Sequence, residues 1–211
     1  STFRPAVEGV RLNMRASALN IIHALQENTG TAELVVEKIP PTITLDKIND
    51  LGITTLIAKG ESSFAGSSSA RMHNIRIGAS KYNGYVVKPG EEFSFNDVLG
   101  KVDETGGYQA ELVIKNGELL PEYGGGLCQI STTLFRAAIN AGLPITERRP
   151  HSFPVKYYNP QGFDATIYPG VVDLKFKNDT PAHLLIQSKI SGTKLTFEIY
   201  GSNDGRVVAM D

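Results

Sequence analysis

The string GGGLCQISTTLF, residues 124–135, contains the single cysteine of the chain, Cys128. Three glycines precede the cysteine, and a stretch with helical character follows it. A thiolate is favoured at a helix N-terminus because partial positive charge collects there, and glycines let a ligand approach the backbone closely. The pattern predicts a nucleophile whose oxyanion is met by N–H groups at the helix start. The alternative is a small buried apolar side chain, since free cysteines are among the most buried residues.

A cysteine nucleophile needs a base, usually a histidine, that a third polar group orients. Of the four histidines, His151 fits best because it begins the first predicted strand after the cysteine helix, whereas His23 falls on an N-terminal helix. Asp164 opens the next predicted strand. If these two strands pair, His151 and Asp164 lie side by side and face Cys128. Papain-like and transglutaminase-like hydrolases share this order of a helix-borne Cys, a strand-borne His and an Asp on the next strand.

Several polar residues around this triad are further candidates. The Gln129 amide is predicted to donate to an oxyanion, with an exposed helix residue as the alternative. Ser131 and Thr132 bind either a ligand or the free N–H groups of the first helical turn. Arg148 suits a bidentate clamp on a peptide carboxylate, although a surface ion pair is an equally good interpretation. The predicted catalytic set is Cys128, His151, Asp164 and Gln129.

The remaining candidates concern substrate binding. Arg71 and Asn74 are three positions apart and share one face of a predicted helix, from which they support the site. Gly125 and Gly126 allow close approach of the substrate to the backbone. The predicted substrate-binding set is therefore Gly125, Gly126, Ser131, Thr132, Arg148, Arg71 and Asn74.

Other kinds of chemistry find little support in the sequence. Neither HxxxH nor CxxC spacing occurs, so we predict no metal site, and the glycine run lacks the GK[ST] ending of a phosphate loop. The formal net charge is −1, from 21 basic and 22 acidic residues, which argues against a nucleic-acid partner. We predict no cofactor.

The order of predicted elements indicates an α+β fold in which one central helix packs on an antiparallel sheet. Residues 128–141 form the central helix, with Gln129, Thr133, Arg136 and Asn140 on a polar stripe opposite an apolar one. Mixed elements precede this helix, including a hairpin around Asn116-Gly117. Five strands arranged as a meander are expected after it, in HSFPVKYY, DATIYPG, VDLKFKN, AHLLIQSKI and KLTFEIYG.

The first 45 residues read as a separate piece with a strand, a helix and a strand. Pro40-Pro41 is the strongest boundary signal, so the main domain is expected over 46–211. Two strands and one helix are too few to enclose a hydrophobic core well, which suggests that residues 1–45 are part of a larger module. No apolar run reaches the roughly 18 residues of a membrane span. Because the chain begins at Ser1, we expect any signal or anchor to have preceded it.

The string GGGLCQISTTLFRAAINAGLPITERRPHSFPVKYYNPQGFDATIYPGVVDLKFKN closely resembles the VanW family, as do ARMHNIRIGASKYNGYVVKPGEEFSFND and GGYQAELVIKNGEL. The likeness extends over roughly residues 55–200 and is most specific at GGGxCQxSTTL. Residues 1–45 resemble the end of the peptidoglycan-binding module that often precedes this domain. The resemblance implies a Gram-positive protein of vancomycin-resistance type, acting on the extracellular face of the membrane or in the cell wall. Its implied partner is peptidoglycan or its stem peptides, with membrane contact only through an upstream anchor.

Two functions follow as hypotheses. The first is a cysteine-dependent hydrolase or acyl-transferase of wall peptides, in which Cys128 attacks an amide, His151 carries the proton and Asp164 orients the imidazole. The second is a non-catalytic peptidoglycan-binding or scaffold domain that uses the same cleft.

Overall fold

The structure is a computed structural model that describes residues 7–41, 50–115, 118–152, 155, 158–159 and 162–209, without the side chains of 112–120. The chain divides into a small unit, Pro5–Asp50, and a large unit that contains Leu51–Asp211. That the small unit belongs to a peptidoglycan-binding module stays a prediction.

The small unit consists of strand β1 (Gly9–Leu12), helix α1 (Met14–Glu27) and strand β2 (Val36–Ile39), with the two strands antiparallel. The Asn13 side chain caps α1 by accepting from the Ala16 N–H at 2.8 Å. Asn28 ends the helix in the left-handed conformation. Ser17 is the only buried residue among those described in this unit, so its apolar side chains remain largely exposed.

The large unit contains long helices and strands, each of eight or more residues, and several shorter ones. In chain order these are β3 (Thr55–Ser63), α2 (Ser69–Ser80), β4 (Tyr85–Val87), β5 (Glu92–Ser94), α3 (Phe95–Leu99), β6 (Ala110–Lys115), β7 (Glu118–Tyr123), α4 (Leu127–Asn140), β8 (Ile145–Glu147), β9 (Lys175–Lys177), β10 (Leu184–Ser191) and β11 (Lys194–Gly201). The α+β prediction is confirmed.

Three antiparallel sheets organise these strands. The largest has the order β3-β11-β10-β4, the second has the order β5-β9-β8, and β6 pairs with β7. The predicted simple meander is wrong, because β9 joins the second sheet and β11 pairs with β3 from the start of the unit. The hairpin prediction agrees with the β6–β7 pairing, although residues 116–117 lie outside the described part of the chain.

Helix α4 packs against β3, which is an edge strand of the largest sheet. Its Gln129, Arg136 and Asn140 side chains donate to the carbonyl oxygens of Ser63, Glu61 and Lys59, at 2.8, 3.3 and 2.8 Å respectively. These three carbonyls belong to alternate residues and therefore face the same side of the strand. The predicted polar stripe of α4 thus covers the open sheet edge instead of facing solvent, and Gln129 and Thr133 are buried.

Gly60 allows this close approach of helix and strand. A Cβ atom at that position would lie 2.2 Å from the Thr133 carbonyl oxygen and 2.5 Å from the Ala137 nitrogen. The opposite stripe of α4, which includes Ile130 and Leu134, is fully buried in the hydrophobic core. The helix is consequently fixed on both faces, which holds its N-terminus in place.

The segment that follows β8 differs from the prediction. His151 does not begin a strand, because β8 ends at Glu147, and the described residues between His151 and Tyr158 form no strand. Asp164 also lies outside any strand, and only isolated bridges, Arg149 to Thr166 and Tyr168 to Val172, occur nearby. The described residues of this segment are therefore held mainly by side chains rather than by a regular sheet.

Candidate functional site

Cys128 is the second residue of α4, at the end of the glycine run. Gly126 caps the helix with a φ of 97°, a left-handed conformation that favours glycine. A Cβ atom on Gly125 would lie 2.1 Å from Glu111 Oε2, and one on Gly126 would lie 2.6 Å from Ile75 Cγ1. Close packing around the turn therefore requires glycine at both positions. Their predicted contact with substrate stays a prediction.

The Cys128 thiol is partly exposed and lies in the wall of a groove. Its Sγ is 3.7 Å from the carbonyl oxygen of Ile167, to which it donates. The groove has a volume of about 610 Å³. The end of β7 and the glycine turn line one side, and residues 167–169 line the other. The thiol is therefore accessible rather than enclosed in the core.

His151 and Asp164 are in direct contact, as predicted, although neither is on a strand. The His151 Nδ1 hydrogen-bonds Asp164 Oδ2, and the His151 backbone N–H donates to the same oxygen at 2.9 Å. A hydrogen bond to Cys128 raises the pKa of His151; burial opposes this effect, and Asp164 adds to it. With Nδ1 bound to the carboxylate, Nε2 is the nitrogen left for the thiol.

The Asp164 carboxylate is almost completely buried. Burial by itself would raise its pKa, but the bonds from the His151 backbone and ring, together with the Arg148 charge, outweigh that effect and lower it. Asp164 therefore stays ionised and favours the protonated imidazole. A thiolate beside an imidazolium is the form in which cysteine is the stronger nucleophile.

Ser131 and Thr132, which were predicted to bind substrate, are fully buried and contact the protein instead. The Ser131 hydroxyl donates to the Ala165 carbonyl at 2.6 Å. The Thr132 hydroxyl accepts from the Ala165 N–H at 3.1 Å and lies 3.3 Å from its carbonyl. Both hydroxyls therefore point at the backbone next to Asp164, and a role of either residue in substrate binding stays a prediction. They fix the acid to the helix that carries the cysteine.

Arg148 also serves the acid rather than a substrate carboxylate. Its Nε donates to the Asp164 carbonyl at 2.8 Å, its Nη2 donates to the Gly162 carbonyl, and its guanidinium lies 3.6 Å from Asp164 Oδ1. The guanidinium also stacks on the Phe135 ring, 5.0 Å from the ring centre. These contacts occupy the fork that a bidentate clamp on a substrate would need.

Gln129 is buried below the site, with its amide directed away from the groove. Its Nε2 donates to Ser62 Oγ at 3.1 Å and to the Ser63 carbonyl at 2.8 Å, and its Oε1 accepts from Arg71 at 2.8 Å. Both amide hydrogens are thus bonded within the protein, and the oxyanion role of Gln129 stays a prediction. The backbone N–H of Cys128, in the first turn of α4 where helical N–H groups have no intrahelical acceptor, is a candidate donor instead.

Arg71 and Asn74 support the turn from α2. Arg71 contacts Ser67 as well as Gln129. The Asn74 side chain is fully buried and both donates to and accepts from the backbone of Gln109, at 2.9 and 2.8 Å. These contacts fix α2 to the residues around the turn, and a role of Arg71 or Asn74 in substrate binding stays a prediction.

The sequence interpretation missed three aromatic side chains. The Tyr158 ring lies 5.0 Å from the His151 ring, and Tyr158 is buried. Tyr123 and Tyr168 flank the groove and are 43% and 60% exposed. No local pattern marks these residues, because each depends on chain segments that meet only in the folded protein.

Within the described residues, no group of three or more His, Cys, Asp or Glu side chains could hold a metal ion. The helices described there are also too short or too polar to cross a membrane. The predictions of no metal and no cofactor remain predictions.

Two bacterial proteins are similar in sequence to this chain. An uncharacterised protein of Bacillus subtilis (strain 168), YoaR, is 40% identical over 140 residues, which are 66% of this chain and 46% of that protein. The vancomycin B-type resistance protein VanW of Enterococcus faecalis (strain ATCC 700802 / V583) is 34% identical over 134 residues, 62% of this chain and 49% of that protein. The matches thus span about half the length of each relative.

No solved structure is significantly similar to this one. The sequence model of the VanW like protein family matches residues 70–200, a range that contains Cys128, His151 and Asp164. Because this range is more than half of the chain, the protein belongs to the VanW family.

Proposed function

We propose that this domain is a cysteine-dependent hydrolase or acyl-transferase of cell-wall peptides, on the outer side of the membrane. The observation that supports the proposal is the hydrogen-bonded pair His151 and Asp164 next to Cys128, which raises the pKa of His151 and whose thiol is open to a groove. The Enterococcus relative is named as a vancomycin resistance protein, and this supports the choice of peptidoglycan as substrate class.

In the first step, the Cys128 thiolate attacks the carbonyl carbon of a peptide amide and forms a C–S bond. The carbonyl oxygen takes the negative charge, which the Cys128 backbone N–H stabilises at the positive end of α4. The tetrahedral intermediate then expels the amine as the C–N bond breaks. His151 gives its proton to that amine, so the thioester and a neutral leaving group result.

In the second step, water or a peptide amine attacks the thioester. His151 takes the proton from this nucleophile, and the C–S bond breaks to return the thiolate beside an imidazolium. Asp164 keeps its charge throughout and holds the ring through Nδ1. Water gives hydrolysis and an amine gives transfer, so the choice between the two depends on which nucleophile enters the groove.

The reactivity of the Cys128 thiol directly tests the proposed roles of Cys128, His151 and Asp164. Iodoacetamide should alkylate Cys128 faster at pH 6 in the wild type than in His151→Ala, because only the wild type has an imidazole that can take the thiol proton. Asp164→Asn should slow alkylation less. His23→Asn is the matched control, because His23 is exposed on α1. Equal alkylation rates in the wild type and His151→Ala would refute the mechanism.

Turnover is tested with muropeptides released from Gram-positive walls by a muramidase, with products identified by mass spectrometry. Wild type should release or join peptides, and Cys128→Ala should give no product.

The second candidate, a non-catalytic peptidoglycan-binding domain, is favoured by the open groove between Tyr123 and Tyr168. Equal muropeptide binding by wild type and Cys128→Ala, with no product from either, would establish that alternative.

A further inference from the structure

One wall of the groove is the outer edge of β7 at Pro121 and Tyr123. In the described part of the chain β7 pairs with β6 alone, with Leu112 opposite Pro121 and Ala110 opposite Tyr123. Proline has no N–H to give to β6, so its pair is of the non-hydrogen-bonded type, in which backbone groups point away from the partner strand. Alternate residues point the same way, and the backbone of Tyr123 therefore also faces outward.

The opposite wall presents a second stretch of backbone. The N–H of Thr166 bonds the Arg149 carbonyl at 2.8 Å, and the N–H of Tyr168 bonds the Val172 carbonyl at 2.8 Å. Ile167 lies between them, so its own backbone groups face the other side. Its carbonyl accepts from the Cys128 thiol, which places that side at the groove.

The groove therefore has hydrogen-bonding backbone along both walls and leads to the nucleophile. The β7 edge continues through the glycine turn to Cys128, and the rings of Tyr123 and Tyr168 flank the opening. An extended peptide presents N–H and C=O groups at the same repeat as such an edge, whereas a glycan does not.

We infer that the substrate is an extended peptide segment that adds as a strand to the outer edge of β7. The segment accepts a hydrogen bond from the Tyr123 N–H and donates to the carbonyls of Pro121 and Tyr123. Its scissile amide then reaches Cys128 beside Ile167. This inference rests on the proposed function, since it names how that site takes its peptide, and it assigns no role to the glycan.

Binding is measured on the Cys128→Ala protein, so that the result does not depend on turnover. The probe is a fluorescein-labelled synthetic wall peptide, Ala-γ-D-Glu-Lys-D-Ala-D-Ala, followed by fluorescence anisotropy. Analogues carry a methyl group on one amide nitrogen at a time. We expect methylation of the edge-facing amides to weaken binding about 5- to 10-fold, as for loss of one hydrogen bond, and methylation of their neighbours to have little effect.

Two substitutions separate the backbone of Tyr123 from its ring. Tyr123→Pro removes the outward N–H without removing a bond to β6, and Tyr123→Ala removes the ring but keeps that N–H. Proline should weaken peptide binding by a further factor of about 5 relative to alanine. Circular dichroism and thermal melting of both variants establish that the hairpin remains folded.

Uniform tolerance of methylation, equal binding by the two Tyr123 variants, or equal competition by peptide-free wall saccharides would each overturn strand addition. These outcomes are distinct from failure of the proposed function. If the peptide binds as inferred but the wild type yields no product, the groove is a peptide-binding site without catalysis.

Discussion

The two halves of the candidate site are built in different ways. Cys128 comes from the start of a long helix whose two faces are fixed by the core and by the edge of β3. His151 and Asp164 come from irregular backbone between β8 and β9, where the described residues form only isolated bridges. This irregular half is held by side chains that bond its backbone, and several of them belong to the same helix.

The helix therefore has two functions in this arrangement. Its N-terminus supplies the thiol, and one turn later Ser131 and Thr132 hold the backbone next to Asp164. Farther along, Arg136 donates to the carbonyls of Phe163 and Tyr158, at 2.9 and 2.8 Å. A single rigid element thus sets the distance between nucleophile and acid, so that disturbance of the helix and disturbance of the clamps should have different consequences.

The largest effect is expected from Gly60→Ala, at the contact between α4 and β3. The added methyl group would meet the backbone of α4, which cannot move without losing its bonds to β3, so we expect a loss of about 3 kcal/mol in unfolding free energy. Urea denaturation measures this loss. Gly9→Ala is the control, because a Cβ there meets nothing closer than 3.5 Å. Equal stability of the Gly60 variant and wild type would show that α4 and β3 are not tightly packed at this position.

A smaller and more local effect is expected from Thr132→Val, which keeps the shape of the side chain. The buried Ala165 N–H would lose its acceptor, at a cost of about 2 kcal/mol. Alkylation of Cys128 at pH 6 should slow, because Asp164 is no longer held against His151. Thr132→Ser keeps the hydroxyl and should restore both properties. Loss of stability with unchanged thiol reactivity would mean that the clamp does not orient the acid.

Arg148→Met should have a milder effect, about 1 kcal/mol, since the side chain is partly exposed. Methionine keeps the contact with Phe135 but loses the bonds to the carbonyls of Asp164 and Gly162. The pH profile of Cys128 alkylation should shift, because the charge that helps to keep Asp164 ionised is gone. Arg148→Lys retains the charge without the fork and should shift the profile less. If peptide affinity falls while the profile is unchanged, Arg148 contacts substrate after all.

The contrast between the halves also explains what the sequence could predict. The helix around Cys128, the hairpin and strands β9 to β11 follow from local patterns of glycine, turn residues and apolar spacing. His151 and Asp164 were identified by residue type and chain order, although the strands assigned to them do not occur. The roles of Gln129, Ser131 and Thr132 were not predictable, because their partners Ser62, Ser63 and Ala165 are distant in sequence.

The pH dependence of stability should separate the two members of the irregular half. The fold raises the pKa of His151, so the stability it contributes is complete below the unfolded value of about 6.5 and is lost as pH rises through the folded pKa. The fold lowers the pKa of Asp164, so its contribution is complete above the unfolded value of about 3.9 and is lost as pH falls through the folded pKa.

Both contributions are therefore complete only between about pH 4 and 6.5. The difference in melting temperature between wild type and His151→Gln should be largest in that window and should decrease at higher pH. Asp164→Asn should remove the decrease at low pH but only part of the dependence at high pH, because the interaction with Cys128 still raises the pKa of His151. A difference that stays constant from pH 4 to 9 would show that the imidazole is not charged in the folded protein. The thiol would then lack the ion pair on which its reactivity depends.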